Sequence, residues 1–97
     1  MRPVAVPADF GVAGAAATGR VELPLHIRWS GPAVTYDLSD RRDRVRVYEQ
    51  VLREGTDDDV RFYVDSANLL ELWDELVLPS QVRRAWAEWA RSHRRVA

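Results

Sequence analysis

The spacing of apolar side chains changes near residue 38, and that change limits what this chain can fold into. Before it, Val21, Leu23, Leu25, Ile27 and Trp29 occupy every second position, with Glu22, Pro24, His26 and Arg28 between them. After Ser30-Gly31-Pro32 the alternation resumes at Val34, Tyr36 and Leu38. Alternating side chains share one face of an extended strand. Beyond residue 38 the apolar positions recur at the helical spacing of about 3.6 residues. The pattern predicts a mainly α fold: a compact four-helix unit over about 40–94, preceded by an extended arm or short β-hairpin over about 21–38. Pro24 has no amide to donate, so the extended segment belongs at an edge. A lone two-stranded hairpin is marginal in water and would have to lie on the helices.

Four segments carry helix start and stop signals. Ser39 is expected to cap the first, which runs to about Glu54 with Gly55 just past its end and Val45, Tyr48, Val51 and Leu52 inward. Thr56 caps the second, with Asp59 answering it as a variant of the capping box and Val60 and Val64 facing inward. Asp65 or Ser66 opens the third, whose Leu69, Leu72, Trp73 and Leu76 make the cleanest amphipathic stripe and which runs out at Val77-Leu78. Pro79 suits the first turn of the fourth, with Val82, Trp86, Trp89 and His93 as its stripe. Residues 1–20 are rich in Pro, Ala, Gly and Val without either period, and read as a flexible N-terminal arm. Residues 21–97 then form a single small helical domain with an extended N-terminal segment.

Ninety-seven residues leave no room for a second folded domain. With 46% hydrophobic and 30% charged residues the chain lies outside the composition of wholly disordered proteins. The absence of cysteine excludes disulfides, cysteine-based zinc sites and a cysteine nucleophile. No apolar run approaches the roughly 20 residues of a bilayer span. Pro3, Pro7 and Asp9 interrupt any signal-peptide core ahead of Ala15-Ala16-Ala17, so a cytoplasmic location is expected. All fourteen basic residues are arginine, a bias of GC-rich bacterial genomes. Charge is segregated: residues 56–75 hold seven acids against Arg61, a balance of −6, and residues 81–97 hold five arginines against Glu88, a balance of +4.

No residue pattern points to catalysis, and an enzyme is not expected. Asp57-Asp58-Asp59 sit on consecutive helical positions about 100° apart, so they cannot converge on one ion; they suit the unpaired amides of a helix start instead. Ser30 and His26 lack any nucleophile motif around them, His93 lies in a last helical turn, and the glycines form no phosphate loop. Neither a metal nor a cofactor is expected. Trp73 and Trp86, central in their stripes, read as core. Aromatic and arginine side chains together are enriched at interface hot spots, which singles out Trp29, Arg84, Trp89 and Arg91 as partner-binding candidates. DNA binding through a helix-turn-helix-like arrangement is the alternative, with the near-zero net charge and the acidic segment before the last helix against it. A core this small also leaves a homodimer open as a source of stability.

Tyr36-Asp37-Leu38, the run from Arg46 through Thr56, Leu70-Glu71-Leu72-Trp73 and the stretch from Leu76 through Trp86 give an ordered string over about residues 23–90. It resembles small actinobacterial proteins encoded beside nucleotidyltransferase toxins of the abortive-infection class. The resemblance implies an antitoxin or accessory partner that binds such a toxin, and it supplies no catalytic or ligand residues.

Overall fold

The computed structural model describes residues 6–11, 16–28 and 32–93. Its elements are β1 (Arg20–Glu22), α1 (Leu25–Arg28), β2 (Thr35–Asp37), α2 (Arg41–Glu54), α3 (Asp57–Tyr63), α4 (Ser66–Leu72) with a 3-10 turn over Trp73–Glu75, and α5 (Ser80–His93). Helices α2 to α5 form the expected four-helix unit, and the two strands pair antiparallel on its N-terminal side with Arg20 opposite Asp37, Val21 opposite Tyr36 and Glu22 opposite Thr35.

The hairpin is real, but the strand expected to continue through Leu23, Leu25 and Ile27 is not. β1 stops before Pro24, whose carbonyl accepts from Ile27 N at 3.0 Å and Arg28 N at 3.2 Å, winding one helical turn. Leu23 and Ile27 are buried, four positions apart, while Leu25 between them is 62% exposed. The same residues satisfied both periods, and proline, with φ suited to a helix start and no ladder amide, selected the helical one. Trp29, Ser30 and Gly31 lie outside the described residues.

Cap chemistry sets the helix boundaries. Asp40, not Ser39, caps α2: its carboxylate accepts from Arg42 N and Asp43 N at 2.8 and 3.2 Å. Ser39 is held in the preceding turn, donating its amide and hydroxyl to Asp37 Oδ1 at 2.9 and 2.6 Å. Both residue types cap equally well, and the turn by which Asp37 ends β2 decides which stands at the helix start. Gly55 ends α2 as expected, because a Cβ there would come within 2.7 Å of the Val51 carbonyl oxygen. The Thr56–Asp59 capping box is complete, and Asp65 opens α4 by accepting from Asn68 N at 2.9 Å.

Val47, Tyr48, Val51, Leu52, Val60, Val64, Leu69, Leu72, Trp73, Leu76, Val82 and Trp86 fill one core, and no polar or charged residue is buried among the described residues. On α5 the inward stripe runs Val82, Trp86 and Ala90 rather than through Trp89 and His93. Burial of Ala90 turns the helix so that Trp89 is half-buried and His93 exposed at its margin.

Within the segment expected as a flexible arm, residues 6–11 and Ala17 make contacts with the helical unit. Pro7 and Phe10 are buried, Phe10 stands edge-on to Trp86 and Trp89 with both centroids at 5.1 Å, and Ala17 N donates to the Phe62 carbonyl at 2.7 Å. A single aromatic ring in a Pro/Gly-rich stretch has no period, so nothing local marks it as core.

Candidate partner-binding surface

Helix α5 carries three of the four candidate residues; Trp29 lies outside the described ones. The side chain of Trp89 lies against Phe10 at 5.1 Å and Trp86 at 5.7 Å, and stacks on the His93 ring at 4.6 Å and 23°. Arg84 is exposed and has no ion pair among the described residues. Arg91 is exposed and pairs with Glu88 one turn back. At about 100° per residue, Arg84 and Arg91 fall within about 20° of each other around the helix, while Trp89 stands about 140° from Arg84. The arginines therefore make the outer row of α5 and Trp89 its edge against the core. The structure does not bring the three onto one patch.

Arg83, adjacent in sequence, has a different role. Its guanidinium lies 4.7 Å from the Trp73 ring centroid and donates to the Leu76 carbonyl and, at 3.4 Å, to the Trp73 carbonyl. Arg83 thus caps the end of the 3-10 turn, bonding the Leu76 carbonyl and sharing the Trp73 carbonyl with Leu76 N, which removes it from any phosphate-facing row.

The acidic side is partly neutralised within the chain. Arg61 binds Asp58 and Asp9, each at 2.8 Å, and its hydrogen bond holds the Asp9 carboxyl below the usual carboxylate range. Arg41 bridges α2 to Glu71 at 3.3 Å and to Glu75, whose carboxyl its hydrogen bond likewise lowers. His26, exposed on the turn of α1, bonds Asp59 at 2.7 Å. Burial alone would raise the Asp59 carboxyl, but hydrogen bonds from His26 and Thr56 outweigh it and leave the group below its ordinary value. Among the described residues no three acidic or histidine side chains are grouped to hold a metal, and no helix is long and apolar enough to cross a membrane.

Sequence reasoning missed Asp9, Phe10 and Arg61. Pro7-Ala8-Asp9-Phe10-Gly11 signals a turn but not a buried ring, and Asp9 and its partner Arg61 lie 52 residues apart. Compared with protein families, curated proteins and solved structures, the chain matches none.

Proposed function

We propose that this chain is a non-catalytic protein-binding module, and that its partner is the nucleotidyltransferase-type toxin its sequence string implies, which it restrains. The observation that carries the reading is the exposure of Trp89. Trp73 and Trp86 are 6% and 1% exposed, whereas Trp89 is only partly buried on a helix whose outer row is arginine. Tryptophan and arginine supply large contact area and directional charge-assisted hydrogen bonds, the usual content of an interface hot spot. A nucleotidyltransferase must hold a nucleoside triphosphate and magnesium, so a bound module can act by covering that cleft or by holding it open.

Co-expression with the toxin tests the reading. The expected result is a stable complex and relief of growth arrest. Because Trp89 and Arg84 point in different directions, single substitutions separate the two surfaces: Trp89→Ala should weaken binding by more than about 1 kcal/mol if the edge is the contact, and Arg84→Glu if the outer row is. Absence of co-elution ends the assignment.

A further inference from the structure

We infer that the corner between Trp86 and Trp89 on α5 is a docking site for a partner segment in which an acidic residue directly precedes an aromatic one, and that Asp9-Phe10 occupies it in cis. This rests on the protein-binding reading above and specifies the chemistry of the contact. The two indoles stand 5.7 Å apart at 75° and offer two nearly perpendicular walls. Phe10 closes the corner, edge-on to Trp86 at 90° and to Trp89 at 64°, and is 7% exposed there. Such edge-to-face packing sets the positive rim of one ring against the negative face of another. Beside it, Arg61 Nε donates to Asp9 Oδ1 at 2.8 Å. The site therefore reads a ring and, one residue earlier, a carboxylate.

The occupant is held weakly for a core segment. Residues 6–11 form a turn, closed by Phe10 N donating to the Pro7 carbonyl at 3.0 Å and reversed at Gly11 with φ +83. The Asp9–Arg61 pair is open to water, with side chains 56% and 39% exposed, and such pairs contribute little. A short turn anchored by Pro7, Phe10 and one exposed ion pair opens more easily than the helices beneath it. An outside segment with the same acid-aromatic pair meets the same indoles and guanidinium. It must compete with a tethered copy at an effective concentration on the order of mM. The isolated chain thus keeps its tryptophan corner covered, and a partner with further contacts uncovers it.

The probe is a synthetic peptide of residues 6–11, Val-Pro-Ala-Asp-Phe-Gly with blocked ends, added to the full chain carrying Phe10→Ala. The expected result is a saturable shift of the Trp86 and Trp89 indole NMR signals but not of Trp73, at least about tenfold tighter than in the unsubstituted chain. A peptide with the aromatic replaced by alanine should not produce it, and one with the acid replaced by arginine should bind about threefold or more weaker. An Phe10→Ala chain that keeps its helical circular dichroism and shows no saturable shift overturns the inference, as does equal binding by both chains. Should Phe10→Ala lose its helices, Asp9→Arg decides: it leaves the ring in place, and the peptide must bind it about threefold or more tighter than the unsubstituted chain, equality overturning the proposal. Only this chain and its peptide are used, so failure here leaves the protein-binding reading standing, and failure to bind the toxin with the peptide result intact removes the toxin alone.

Discussion

Nε2 of His26 lies 2.7 Å from Oδ2 of Asp59, and that same oxygen accepts the Thr56 amide at 2.8 Å. One carboxylate therefore closes the capping box of α3 and clasps α1 onto it. Tyr63, one turn further along α3, donates its hydroxyl to the Glu22 carbonyl at 3.4 Å. Through these contacts the end of β1 and the turn of α1 lie along α3.

The clasp makes stability depend on pH in a definite direction. The Asp59 carboxyl is lowered in the fold, so it stabilises the native state above its unfolded value of about 3.9 and loses that contribution as pH falls through the folded one. Asp59→Asn should cost about 0.5–2 kcal/mol at pH near 7, as loss of a cap does. It should also flatten the fall in stability toward acid, leaving the part due to Asp9, Asp37 and Glu75, which shift the same way. Urea midpoints measured from neutral to acid pH check both; parallel curves for the two proteins would contradict it. His26→Ala should cost less, under about 1 kcal/mol, because its side chain is 52% exposed.

Arg83 and Arg84 should separate cleanly. Arg83→Ala loses the ring contact and two carbonyl bonds and should destabilise by about 1–3 kcal/mol. Arg83→Lys should recover only part, lacking the planar fork. Arg84→Ala should stay within about 0.5 kcal/mol. Equilibrium urea unfolding of the three variants is the measurement, and equal effects at both positions would show that Arg83 is not structural.

Native-state amide exchange should rank the segments. Amides at Val51, Leu72 and Trp86 should exchange only by global opening, and Phe10 by a cheaper local one. Equal protection would mean that residues 6–11 unfold with the core.

DNA retardation should show no specific shift by the isolated chain at physiological salt, since the net charge is −1 and Arg83 is turned inward. Sequence-selective binding with a steep salt dependence, flattened by Arg91→Ala, would instead place phosphates on the outer row of α5.

The sequence by itself determined the switch from strand to helix, the cap at Thr56, the stop at Gly55, a helix start at Asp65 or Ser66 and the burial of Leu69, Leu72, Trp73, Val82 and Trp86. Each depends on residues within about four positions of one another, the reach of a helical hydrogen bond or stripe. Where two local solutions competed, as at Ser39 and Asp40 or along Leu23 to Ile27, the strand and turn geometry next to them chose. The clasp of His26 on Asp59 spans 33 residues and the pairing of Asp9 with Arg61 spans 52. Only the tertiary structure decided them, together with the seat of Phe10 against the α5 indoles, the inward turn of Arg83 and the divergence of Trp89 from Arg84. A charge or ring carries no mark of its distant partner; the packing of α3 and α5 against the N-terminal segment brings the partner within reach.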